Sequence, residues 1–71
     1  MNKISSKKLL NTKWTAVTPS SKEKHFLVTK LVLDEDDIVT HCLIEAVISN
    51  RTELINWKDL KGSERWLQGW K

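Results

Sequence analysis

With a single cysteine, Cys42, in its 71 residues, the chain cannot close a disulfide on itself. Its two glycines supply no glycine-rich loop of the kind that cradles phosphate. Soft metal ligands are just as scarce, because His25 and His41 are the only histidines beside Cys42. No apolar run approaches the roughly 18 residues needed to span a bilayer, which argues for a soluble protein. The stretch Met1 to Leu10 lacks the apolar core of a signal peptide, so the expected location is the reduced cytoplasm. Internal repeats, low-complexity segments and motifs of known chemistry are all missing. The sequence therefore speaks to fold more than to function, and its length allows one domain, residues 1 to 71.

What is present is one long hairpin signal. His25 to Leu33 (HFLVTKLVL) and Ile38 to Ser49 (IVTHCLIEAVIS) are rich in Val, Ile, Leu and Thr, the side chains that suit a pleated, half-buried surface. Asp34 to Asp37 lie between them and offer the short polar side chains of a turn. A turn at that point sets Leu33 opposite Ile38, Leu31 opposite Thr40, Thr29 opposite Cys42, Leu27 opposite Ile44 and His25 opposite Ala46. The other surface then carries Val32 with Val39, Lys30 with His41, Val28 with Leu43, and Phe26 with Glu45. Both surfaces are largely apolar, so the sheet is expected to curl towards a small barrel or to have its second face covered by the termini.

Elsewhere, Met1 to Asn11 reads as a basic tail or a short helix laying Leu9 and Leu10 on the sheet. Lys13 to Val17 is a first strand stopped by Pro19, and Ser20 to Lys24 is a loop. Asn50 and Arg51 form a tight turn before a last strand, Thr52 to Asn56, because Asn tolerates the left-handed backbone. Asn56 caps a helical turn at Trp57 to Leu60, which Gly62 ends, and Ser63 caps a second turn at Glu64 to Gln68. The expected fold is all-β: an antiparallel meander of about four strands with one or two short C-terminal helical turns.

Several runs together carry a family likeness: Lys13 Trp14 Thr15 Ala16 Val17; Glu23 Lys24 His25 Phe26 with Thr29 Lys30 Leu31 Val32; Leu43 with Glu45 Ala46 Val47; Trp57 Lys58 Asp59 Leu60; and Trp66 Leu67 Gln68 Gly69 Trp70. They make the chain resemble the small tryptophan-rich conserved hypothetical proteins of bacteria and photosynthetic organisms, over Lys13 to Trp70. Those proteins often have glycine where this chain has Asp37. The resemblance implies one small domain and carries no chemistry with it.

The remaining question is which side chains could act on anything. His41 and Cys42 are neighbours in a strand and point to opposite faces, so they do not grip one ion, and neither a metal nor another cofactor is expected. Cys42 has no base beside it and reads as a small buried hydrophobe, while His25 reads as a packed or capping histidine. Glu45, in an apolar strand, sits at an edge or satisfies a buried donor such as an indole N–H. Trp14 and Trp57 lie in or beside strands and are core anchors, each burying roughly 200 Å². Trp66 and Trp70 either fold back as a plug or stand exposed with Arg65 and Lys71 as a contact surface.

No catalytic constellation emerges, and the chain is expected not to be an enzyme. Charge supplies two candidate functions. Residues 1 to 30 hold seven lysines against Glu23 alone, a balance of +6, whereas residues 31 to 71 hold five basic and eight acidic side chains, a balance of −3. A basic first half is either a solvated surface or a nucleic-acid contact using Lys7, Lys8 and Lys13 together with Lys3, Lys22, Lys24 and Lys30. The preferred expectation is a protein-interaction module, monomeric or paired through strand edges, because ten Lys against two Arg suit point contacts more than base readout, and Asp34 to Asp37 repel phosphate.

Overall fold

The runs flanking the acidic turn form the centre of one antiparallel sheet. The computed structural model describes residues 2–71; Met1, at the head of the basic N-terminal stretch, lies outside them. The strands are β1 (Lys13–Ser20), β2 (Glu23–Leu33), β3 (Val39–Ala46), β4 (Thr52–Asn56) and β5 (Trp66–Gln68), in the spatial order β4-β3-β2-β1-β5. Two 3₁₀ turns, Ser6–Lys8 and Trp57–Lys61, complete the fold. The all-β antiparallel expectation holds, with five strands in an open sheet that does not close into a barrel.

Turn chemistry explains the connections. Asp34 Oδ1 accepts the N–H groups of Asp36 at 2.8 Å and Ile38 at 3.0 Å, and Asp37 has the left-handed φ of 61° that glycine enters freely. Ser21 and Lys22, at φ 52° and 63°, join Ser20 to Glu23 directly, so this stretch is a two-residue hairpin turn and not a loop. Asn50 holds φ 59° between β3 and β4, as its side chain allows. Pro19 does not stop β1. It lies in the outer half of that strand, beyond the Trp14 to Ala16 stretch that β5 pairs, where no second ladder needs its N–H.

The β2–β3 register differs from the expected one. Phe26 pairs Ala46, Leu27 pairs Glu45 and Val28 pairs Ile44; then Leu31 pairs Cys42, Val32 pairs His41 and Leu33 pairs Val39. Thr29 bulges from β2 and Thr40 from β3, so the two irregularities cancel. Thr29 is therefore the extra residue and not the partner of Cys42, and Phe26 does not face Glu45.

Alternation gives the sheet two unlike faces. On the first, Trp14, Phe26, Val28, Cys42, Ile44 and Ala46 are buried beneath Leu9 from the N-terminal segment and Trp57 and Leu60 from the second 3₁₀ turn. Ser5 and Asn56 start the two turns, their side chains accepting the N–H groups of Lys7 and Lys58 respectively. Leu9 is buried while Leu10 is exposed, so the N-terminal stretch contributes Leu9 to the core, with Ile4 packed partly buried against it. The expected second helical turn at Glu64 to Gln68 does not form: Trp66–Gln68 pairs β1 as a fifth strand.

Candidate functional site

Beyond Gly69, at φ 81°, the chain turns across the second face. Lys13 O accepts the Gly69 N–H at 2.8 Å, the Thr15 hydroxyl donates to Gly69 O at 2.7 Å, and Lys71 N donates to that hydroxyl at 2.9 Å. The Trp70 indole N–H reaches Phe26 O at 2.9 Å, and the His25 ring lies 2.9 Å from Lys71 O through Nε2. Thr15 is thereby buried at the β1–β2 end of this face.

The rest of the second face is bare. Leu27, Val32 and Leu43 are half-buried, and Leu54 on β4 is 57% exposed. Lys30 pairs Leu43 here, and Glu45, half-buried, accepts from Asn50 Nδ2 at 3.3 Å instead of from an indole. The outcome is a mixed apolar and charged surface bordered by Trp70, itself 44% exposed.

Trp66 and Trp70 do not share a face. Trp66 pairs Ala16 on the core side and meets Phe26 edge-on at 5.3 Å between ring centroids. Trp70 lies on the other side, with the Lys13 ammonium 4.7 Å from its ring centre and the His25 ring at 6.0 Å. Arg65 is exposed and lines a hollow with Ala16, Thr18 and Trp66. Lys7 and Lys8 are exposed on the first 3₁₀ turn, far from that group, and Lys7 shares a hollow with Asp37 of the acidic turn. Trp70 and Lys13 thus come together, while Trp66 with Arg65 and the Lys7–Lys8 pair stand apart.

Chemistry is sparse in the hollows. One of about 330 Å³ beside Trp14 and Gly69 has Lys13 as its only ionisable neighbour, and one of about 300 Å³ touches His41 without Glu45. Cys42 is fully buried, and its thiol is pushed up to about 11, first by burial and then by the charge of Asp59, so it is no nucleophile at neutral pH. Among the described residues no group of three or more His, Cys, Asp and Glu is placed to hold a metal, and no helix is long and apolar enough to cross a membrane.

The buried charge that sequence reasoning missed is Glu23. Its carboxylate receives Arg51 Nε at 3.0 and 3.1 Å, Arg51 Nη2 at 2.6 Å and the Ser49 hydroxyl at 2.5 Å, tying the start of β2 to the β3–β4 turn. The one available signal was that Glu23 is the only acid in the first 30 residues. Hydrogen bonds from Arg51, then from Ser49, hold its pKa below the usual 4.5 despite partial desolvation. A lowered folded-state pKa gives stability that is present above about pH 4.5 and lost as pH falls through the folded value. Glu23→Gln is accordingly expected to be less stable than the parent at pH 7, with a gap that narrows in paired urea melts as pH falls below about 4.5. A gap that stays constant with pH contradicts the ion-pair account.

Residues 12–71 match the family described as Tryptophan-rich protein (DUF2389). The chain belongs to this tryptophan-rich family, a domain family of unknown function, as the resemblance implied. No curated protein and no solved structure matches it.

Proposed function

We propose that this member of the tryptophan-rich family is a non-catalytic protein-binding module that receives its partner on the bare half of the second sheet face. The single observation that carries this reading is the unequal covering of the sheet. Both 3₁₀ turns pack on the first face, the C-terminal residues cross only the β1–β2 end of the second, and Leu27, Val32, Leu43 and Leu54 are left without a layer. Antiparallel sheets often leave one face to water, but such a face is normally polar. Leucines with an aromatic border match the composition of an interface core.

Nucleic-acid binding draws less support. Phosphate recognition needs lysines aligned along one surface, whereas Lys7 sits beside Asp37, Lys13 is held over Trp70 and Lys30 lies among the leucines of the second face.

The test is capture from native-host lysate with mass spectrometry, using the parent and a folded Leu43→Lys variant. The expected result is a protein retained at about 0.5 M salt, where exposed charge contacts are largely screened, and lost with Leu43→Lys. The reading is overturned if the variant keeps the partner. It is equally overturned if the captured species is nucleic acid with a log–log salt slope near −3, the value for about four neutralised phosphates.

A further inference from the structure

We propose that two copies of this chain pair edge to edge through β4, antiparallel about a two-fold axis at Leu54, to make one continuous ten-stranded sheet from the two five-stranded ones. The inference goes beyond the partner-binding reading and stands or falls without it.

The two edges of the sheet are finished differently. On β5, pairing with β1 turns the backbone of Trp66 and Gln68 outward, and the protein satisfies much of that edge itself. Trp66 N–H donates to Gly62 O at 3.0 Å, Trp66 O accepts Asn2 Nδ2 at 2.7 Å, and the Gln68 side chain donates to Lys3 O at 2.9 Å. The N-terminal residues thus run along β5 and blunt it.

β4 has no such cover. Ala46 N–H donates to Arg51 O at 2.8 Å, which sets the phase of the β3–β4 ladder: Glu53 and Ile55 direct their backbone groups to β3, while Thr52, Leu54 and Asn56 turn theirs outward. Among the described residues, no backbone or side-chain hydrogen bond reaches the outward groups of Thr52 or Leu54. Of the devices that keep edges apart, Glu53 is the one charge, while Thr52–Asn56 contains no lysine, proline or bulge and its register with β3 is unbroken.

Charge and symmetry select the occupant. Pairing about Leu54 sets each Leu54 against its counterpart, with mutual N–H to C=O bonds. The Asn56 N–H meets Thr52 O, and Glu53 lies beside Ile55 of the second copy. A slip that centres the pair on Glu53 puts two carboxylates directly opposite each other, which is destabilising. Charge thus argues against the Glu53-centred slip and permits the Leu54-centred register, which is self-complementary, as a two-fold interface requires. On the second face it joins Leu43 and Leu54 of one copy to the same residues of the other.

The test is sedimentation equilibrium of the purified protein, with amide exchange followed residue by residue. A five-residue edge forms a small interface, so the expected result is a monomer near 1 μM and a dimer towards about 1 mM. Protection of the Leu54 and Asn56 amides rises with concentration, while that of Glu53 and Ile55 does not. Leu54→Lys, at an exposed position, keeps the far-UV CD spectrum and stays monomeric at about 1 mM, because two ammonium groups then face each other. Leu54→Pro removes the outward N–H without touching the ladder to β3, and it too stays monomeric. A parent that remains monomeric throughout overturns the proposal. So does a dimer that survives in both variants, or one that forms without protecting Leu54.

Discussion

Deleting Gly62 to Lys71 is expected to abolish a single sharp unfolding transition and to leave a chain that melts broadly. Three losses coincide. β1 loses β5 and becomes an exposed edge along Trp14 to Ala16. Phe26 loses the edge-on contact with Trp66, an aromatic pair worth about 0.5 to 1.5 kcal/mol beyond its buried area. The Thr15 hydroxyl, buried under Gly69 and Lys71, loses both its partners. Asn2 loses its bond to Trp66 O and Lys3 O loses the Gln68 side chain, so the N-terminal segment keeps only the Asn2 bonds to Leu60 O and Lys61 O. A domain of 71 residues has roughly 0.05 to 0.15 kcal/mol of stability per residue, about 4 to 11 kcal/mol in all. Losses of this kind consume most of it. Calorimetry and far-UV CD melts of the truncated chain decide the matter: a sharp transition near the parent temperature means that the C-terminal segment is an ornament and not part of the fold.

The sequence showed that these last residues matter, but it misread their form. Trp66 and Trp70 stand four apart, and Ser63 resembles a cap, so helical spacing was the natural reading of Glu64 to Gln68. Three residues of strand are too few to display alternation, and it is the left-handed Gly69 that sends Trp70 to the opposite face from Trp66. The central hairpin was legible because its β-branched runs and its aspartate turn agree. Its register was not: the bulges at Thr29 and Thr40 serve to bring Leu31 and Val39 onto the core face, a packing demand with no local marker. The bare face was legible only in outline. Two apolar surfaces were evident, but which one the 3₁₀ turns would cover depends on where Leu9, Trp57 and Leu60 land, and that is a tertiary matter. Edge strand β4 was bounded correctly, since Asn50 and Asn56 both announce themselves through backbone chemistry.

Trp14→Ala is expected to lower the melting temperature by roughly 12 to 40 °C, at about 4 to 8 °C per kcal/mol lost. Trp14 is the largest of the fully buried side chains, seated between β2 and β5 where Phe26 and Gln68 are its cross-strand neighbours. Truncating a buried Trp to Ala removes about 3 to 5 kcal/mol through lost transfer energy and the cavity left behind. That compares with the roughly 4 to 11 kcal/mol expected of the whole domain. The indole also anchors the start of β1: its Nε1–H donates to Thr12 Oγ1 at 2.8 Å, and that hydroxyl in turn donates to Leu9 O at 2.6 Å, which links the strand to the buried Leu9. Trp14→Phe keeps a ring but leaves the Thr12 hydroxyl without its donor, so the expected loss is smaller, about 1 to 3 kcal/mol. Trp70→Ala provides the contrast. Its ring is 44% exposed and rests on Lys13 and His25, and its removal lowers the melting temperature by several degrees while leaving the transition sharp. Thermal melts of the three variants, followed by far-UV CD, are expected to rank Trp14→Ala well below Trp14→Phe and Trp70→Ala. If Trp14→Ala instead melts cooperatively within a few degrees of the parent, the core is not organised around this side chain, and the packing described for the first face is wrong.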